Sequence, residues 1–209
     1  MNALAEAVLA TARAMNTLGI NRGSAGNVSA RSDDGFVITP TGLAYENSTA
    51  DDMVVMRMDG LSAGKRKPSS EWRFHRDIYA ARAEAGAVIH THAPFATSLA
   101  CMGQAIPPFH YMIARFGGVD VRCARYATFG SEELSQAVVE ALQQRSACLM
   151  AHHGMVVFGA DLEQALALAG ELESLCEQYW RVLQIGTPRL LPEEEMARVL
   201  EKFSSYGQQ

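Results

Sequence analysis

Leu4, Val8, Met15 and Leu18 recur at near-helical spacing and Gly19 follows as a stop, so residues 3–18 read as an amphipathic helix. The next segment, NRGSAGNVSARSDDG, is rich in Gly, Ser and Asn and reads as loops alternating with short strands. The β-rich run Phe36–Thr39 and the segment Met53–Arg57 read as strands, with Asp59-Gly60 as a turn after the second. Ser70 is the expected N-cap of a helix that begins near Glu71 and continues through Tyr79. Ala87-Val88-Ile89 is a short apolar strand leading into His90-Thr91-His92, after which Pro94 opens a helix carrying Thr97, Leu99 and Cys101. Ser131 caps a helix reaching Gln143, and Ala147–Ala151 and Met155–Phe158 are strands flanking His152-His153-Gly154. Long helical patterns follow over Leu162–Leu183 and Glu193–Phe203.

Strands and helices are interspersed without a strict βαβ repeat or a dinucleotide-binding glycine fingerprint. The expected fold is therefore an α/β three-layer sandwich, with a central, largely antiparallel sheet flanked by helices. The absence of a Pro/Gly/Ser-rich linker in 209 residues predicts a single domain over residues 1–209. A formal net charge of −5 opposes attraction to a nucleic-acid backbone, and no apolar run approaches the roughly 20 residues needed to span a membrane. The first residues lack the layout of a signal peptide, so a cytoplasmic protein is expected. Cys101, Cys123, Cys148 and Cys176 are widely spaced without a C-x-x-C pair, which suits free thiols.

Candidate chemistry gathers on histidine. Side chains two apart on a strand share a face, so His90 and His92 present adjacent imidazoles. Imidazole suits zinc and other late divalent ions, and a catalytic zinc site takes three protein ligands and leaves a position open. His153 is the natural third ligand, because Gly154 allows a tight turn that aims its ring inward. His75, one helical turn after Glu71, reads as a surface residue or a support behind the site, and His110 has no clear place. Glu71 opens a helix, where it can serve as a capping carboxylate, complete a metal's coordination, or act as a general base once displaced. Lys65, Lys67 and Lys202, the only lysines, sit in polar or terminal stretches unsuited to Schiff-base chemistry.

Taken together, SSEWRFH, AVIHTHAPFATSLAC, IPPFHYMIARFGG, RYATFGSEEL and HHGMVVFG resemble the class II aldolase/adducin family. The resemblance runs from NRGSAGNVSAR and ITPTGLAYE to VLEKFSSYG, in order and with similar spacing. It implies a homotetramer with one zinc ion per subunit, held by His90, His92 and His153, and Glu71 as a further ligand that converts to the acid/base residue. It implies that Asn27, Thr41, Gly42, Ser69 and Ser70 cradle a substrate phosphate, that Tyr111 reaches a neighbouring subunit's site, and that Tyr206 closes over the aldehyde end. The implied reaction is reversible cleavage of a 1-phosphoketose of the L-fuculose 1-phosphate type to dihydroxyacetone phosphate and a small aldehyde such as lactaldehyde. 5-Deoxyribulose 1-phosphate and 5-methylthioribulose 1-phosphate are alternative substrates. A pentulose-phosphate 4-epimerase, a dehydratase and a non-catalytic adducin-like module are alternative roles within the family. One departure is the His-Thr-His triplet, where the fuculose phosphate branch carries a His-Asn-His form; the ligand positions remain intact.

Overall fold

A computed structural model describes residues 2–205 and contains eight strands in one sheet. In chain order the strands are β1 (Asn27–Ser32), β2 (Gly35–Ile38), β3 (Val54–Arg57), β4 (Ser62–Ala63), β5 (Ala87–Thr91), β6 (Arg122–Ala124), β7 (Ala147–Met150) and β8 (Gly154–Gly159). The helices are α1 (Asn2–Thr17), α2 (Trp72–Ala81), α3 (Pro94–Ala100), α4 (Glu132–Ala141), α5 (Leu162–Ile185) and α6 (Glu193–Ser205). The sheet runs β4-β3-β2-β1-β5-β8-β7-β6, and every pairing is antiparallel except β6 with β7. Among the described residues no helix is long and apolar enough to cross a membrane.

The period-two alternation of the strands divides the core in two. Val28, Ala30, Val37, Ala87, Ile89, Leu149, Met155 and Val157 face a cluster shared with α1, α3 and α5. Their sequence neighbours Phe36, Ile38, Val88, Cys148, Val156 and Phe158 face a second cluster shared with α2 and α4. Helices thus cover both faces of a largely antiparallel sheet, as the sequence predicts. Because Val88 belongs to the α2 side, His90, two residues on, projects to that side as well, and its ring meets Phe74 of α2 edge-on at 5.6 Å. This places the polar end of β5 against the start of α2.

Two local expectations need correction. Ser70 does not cap α2: Glu71 occupies the capping position, without a side-chain capping bond. Ser69 supplies the local bonds instead, its carbonyl accepting from Trp72 N–H at 3.2 Å and its hydroxyl from Glu71 N–H at 3.3 Å. The second concerns the turn between β7 and β8. The left-handed residue there is His152, at φ 56°, while Gly154 already lies in β8. Gly154 is required for another reason: a Cβ there would lie 2.4 Å from the Thr91 carbonyl oxygen, so its lack of a side chain lets β8 approach the end of β5.

Candidate active site

His90 at the end of β5, His92 just beyond it and His153 in the β7–β8 turn form a triangle. One nitrogen from each ring lies within 4.8 Å of the others, and the ring centroids are 4.8 to 5.0 Å apart. The antiparallel pairing of β5 with β8 sets Thr91 opposite Met155, which brings residues about sixty positions apart in the chain side by side. Glu71 enters from the start of α2, its Oε2 lying 3.2 Å from His90 Nε2 and its Oε1 lying 3.2 Å from His153 Nε2.

Hydrogen bonding fixes the tautomer of His90. Its Nδ1–H donates to the Met155 carbonyl at 2.9 Å, so whenever the ring is neutral its Nε2 presents a lone pair to the Glu71 carboxylate. His90 Nε2, fully buried without a hydrogen-bond partner, faces Glu71 Oε2, and the equally buried and unpartnered Glu71 Oε1 faces His153 Nε2. Two acceptors facing each other repel unless a cation lies between them, and a divalent ion or a proton satisfies that demand. Burial opposes charge on His90, but the adjacent carboxylate more than compensates and raises its pKa. For Glu71, burial favours the protonated acid, yet the charge on His90 and the approach of His153 hold it well below the ordinary carboxylate range. Burial and the neighbouring His90 and His153 push His92 down to about 4, so its ring is neutral and able to ligate at neutral pH. Three imidazoles, an ionised carboxylate and an open side fit a late divalent metal.

The open side is a cavity of about 310 Å³ lined by Ala25, Ser70, Glu71, His92, Tyr126, Ala127, Phe129, His152 and His153. Tyr126 and Phe129 are 63% and 67% exposed, giving the cavity an aromatic rim, and the His152 ring meets Tyr126 edge-on at 5.9 Å. The pattern of elements gave no reason to assign Tyr126 or Phe129 to the site, because the loop before α4 has no periodicity; Phe129 beside Gly130 was the available signal.

An isolated bridge between Pro40 and Pro68 sets the Thr41–Gly42 turn beside Ser69 and Ser70, with Ser69 N–H donating to the Thr39 carbonyl and Thr41 N–H to that of Lys67. Gly42 is left-handed, at φ +67°. Asn27 lies nearby, but its side-chain amide donates to Glu71 Oε2 at 3.0 Å. Tyr111 is not brought to the histidines. It opens a 3₁₀ segment over Tyr111–Phe116, is 49% exposed, and stacks on Phe203 of α6 in a separate groove. Tyr206 lies outside the described residues.

The family described as Class II Aldolase and Adducin N-terminal domain matches residues 6–180. A protein of Rhodospirillum rubrum named 5-methylthioribulose-1-phosphate/5-deoxyribulose-1-phosphate aldolase is 54% identical over 205 residues, covering 98% of this chain and 93% of its own. An L-fuculose phosphate aldolase of Escherichia coli K12 is 46% identical over 207 residues, covering 99% and 96%. A solved structure titled L-fuculose 1-phosphate aldolase superposes with a TM-score of 0.93 at 35% identity, covering 96% of each chain.

Proposed function

The chain belongs to the class II aldolase and adducin N-terminal domain family, and on that premise we propose that it is a metal-dependent aldolase. It cleaves a 1-phosphoketose between C3 and C4 to dihydroxyacetone phosphate and a small aldehyde, and runs the reverse addition. The observation that carries this reading is the convergence of three imidazoles and an ionised glutamate on one open cavity. Zinc is the metal we assign, one ion per subunit, with His90, His92 and His153 as ligands and Glu71 beside them. A divalent ion bound there supplies Lewis acidity that polarises the ketone and offsets the charge developing on its oxygen.

Glu71 is the acid/base residue in this reading. In the addition direction it takes the proton from the hydroxylated carbon of dihydroxyacetone phosphate; in cleavage it returns that proton. Its position at the histidines keeps it ionised at rest. Displacement by substrate removes the contacts that depress its pKa, so its basicity rises as it assumes its role. The hydroxyls of Thr41, Ser69 and Ser70 and the amides of Gly42 and Ser70 take the phosphate, since the Thr41 and Ser69 amides already serve backbone bonds. Asn27 keeps its amide on Glu71 rather than on the phosphate. Tyr111 exchanges the C4 hydroxyl proton in a neighbouring subunit's site, within a homotetramer. Its exposure at a distance from the histidines of its own chain supports that assignment.

The aldehyde tail meets Tyr126 and Phe129. Their apolar rings suit a methyl or methylthio group better than a hydroxylated one, and the relative with 54% identity is named for such substrates. We therefore assign 5-methylthioribulose 1-phosphate and 5-deoxyribulose 1-phosphate, which release methylthioacetaldehyde and acetaldehyde. L-Fuculose 1-phosphate, releasing lactaldehyde, is the second reading, favoured by the 46% relative and the superposed structure. The test measures dihydroxyacetone phosphate release from all three by the zinc-loaded protein, with Glu71→Gln and His92→Ala as controls. A preference for one tail above about tenfold, or ~1.4 kcal/mol, names the substrate. No release from any of them refutes the aldolase reading.

A further inference from the structure

Behind Glu71, away from the cavity, lies a line of buried polar side chains in which Ser29, His75 and Tyr79 have no part in the metal or substrate site. Glu71, His75 and Tyr79 are spaced four apart from the capping position through α2 and so lie on one face of it; Asn27 and Ser29 are spaced two apart on β1 and face them. The two sets interleave. Tyr79 Oη and Ser29 Oγ are 2.7 Å apart, Ser29 Oγ and His75 Nδ1 are 2.7 Å apart, His75 Nε2 bonds Asn27 Oδ1, and Asn27 Nδ2 reaches Glu71 Oε2 at 3.0 Å. Ser29 and His75 are fully buried, and Tyr79, Asn27 and Glu71 nearly so.

The chemistry of the end group gives the line a single direction. An ionised carboxylate only accepts, so Asn27 must turn its NH2 to Glu71 and its carbonyl to His75. His75 must then carry its proton on Nε2 and, as a neutral ring, accept at Nδ1 from the Ser29 hydroxyl. Ser29 in turn accepts from Tyr79. Every donor therefore points toward Glu71. Neutrality is secured by burial and by the charge on His90, which together push His75 down to about 3. Five polar side chains at this depth are costly compared with an apolar contact between helix and strand, and each is matched to a partner along this line.

We propose that His75 is a positioning residue for the reaction: its Nε2–H locks the Asn27 amide, and that amide holds the Glu71 carboxylate in register with His90 and His153. Without the His75 donor, the Asn27 amide is free to rotate, and the carboxylate loses the bond that returns it to one place after each turnover. This rests on the acid/base role proposed above for Glu71.

The first measurement uses the intact zinc-loaded protein labelled with ¹⁵N-histidine. Two-bond proton–nitrogen correlations will show His75 as the neutral Nε2–H tautomer throughout pH 6–8. An Nδ1–H tautomer or an imidazolium would reverse the donor order at Asn27 and overturn the proposal. The second compares His75→Leu with His75→Gln, whose terminal amide can still donate to Asn27 Oδ1. At saturating dihydroxyacetone phosphate, the leucine variant will exchange the substrate's C3 hydrogen with D2O about tenfold more slowly, the scale of loss when a partner behind a metal site is removed. KM and zinc content will stay close to those of the parent protein, and glutamine will recover most of the rate. Parental exchange in the leucine variant, equal rates in both variants, or a loss carried by KM would each refute the inference. If neither variant folds, the tautomer decides. Failure of the Glu71 reading is separately visible, because Glu71→Gln would then exchange the hydrogen at the parental rate.

Discussion

Gly154→Ala tests how closely the strands must approach for the site to form. The added Cβ would lie 2.4 Å from the Thr91 carbonyl oxygen and 3.1 Å from His92 Cδ2. Carbon–oxygen contacts between adjacent strands settle near ~3.3 Å, so β8 and the end of β5 must separate by about 1 Å. Overpacking of this kind costs ~1–3 kcal/mol, and each kcal/mol lowers the thermal midpoint of a chain this size by about 2–4 °C. The effect on the metal will be larger in relative terms, because ligand distances tolerate only about 0.2 Å while His92 and His153 flank the strained contact. Urea unfolding and zinc competition with a chromophoric chelator measure the two effects. Gly170→Ala is the control: it lies in α5, where an added Cβ would meet nothing within 4 Å, and should gain up to about 1 kcal/mol from helix propensity. Zinc affinity in Gly154→Ala should fall at least about tenfold, or ~1.4 kcal/mol. Unchanged affinity together with a stability change like that of Gly170→Ala would refute the close-approach argument.

His75 makes stability depend on pH in the metal-free protein. Its pKa is 6.5 when unperturbed and about 3 in the fold, lowered by burial first and by His90 second, with Glu71 opposing. Between those values the unfolded chain binds a proton that the folded chain refuses, so stability is full above pH 6.5 and is lost as pH falls through it. From pH 7.5 to 5.5 the loss attributable to this group is about 1.4 kcal/mol, read as a smaller urea-midpoint shift in His75→Gln; identical shifts would refute it. Glu173 uses both carboxylate oxygens to accept the Phe95 and Ala96 amides at 2.8 Å, so Glu173→Gln should cost ~1–2 kcal/mol in urea unfolding, and no loss would mean solvent replaces the cap. Iodoacetamide should label exposed Cys101 in the folded protein and reach Cys148 and Cys176, whose thiols burial pushes up, only after unfolding. Prompt native labelling of Cys148, read by peptide mass, would contradict its burial.

The elements read most directly from the sequence were those with enough length to show a period. The patterns at residues 3–18 and Leu162–Leu183 lie within one to two residues of α1 and α5. β4 and β6, with two and three residues, are too short to alternate and are defined only by bonds to distant strands. β1 was hidden in a Gly/Ser/Asn-rich segment whose small side chains suit a crowded central strand as well as a loop. The H-x-H spacing identified a pair of imidazoles, because two residues on a strand is a local relation. The link from His75 to Asn27 spans 48 positions and leaves no local trace, which is why the sequence left His75 open between a surface residue and a support behind the site, where the structure buries it completely. The misplaced cap at Ser70 has a related cause: a local preference for serine yielded to the long-range pull of the histidines on Glu71.

The strand order also bears on how the molecule is assembled. The first half of the chain supplies β4, β3, β2, β1 and β5 as a contiguous block, and the second half supplies β8, β7 and β6 as another. β5 against β8 is the one seam where the two blocks pair within the sheet. His90 and His92 stand on one side of that seam and His153 on the other, so an ion held by all three stitches the halves together. Neither block alone holds the full ligand set, and capture of the ion by three imidazoles must wait for the seam to close, the long-range step that topology makes slow. Metal uptake during refolding would therefore act as a clock for the joining of the halves, and its removal should loosen β5 and β8 before the outer strands.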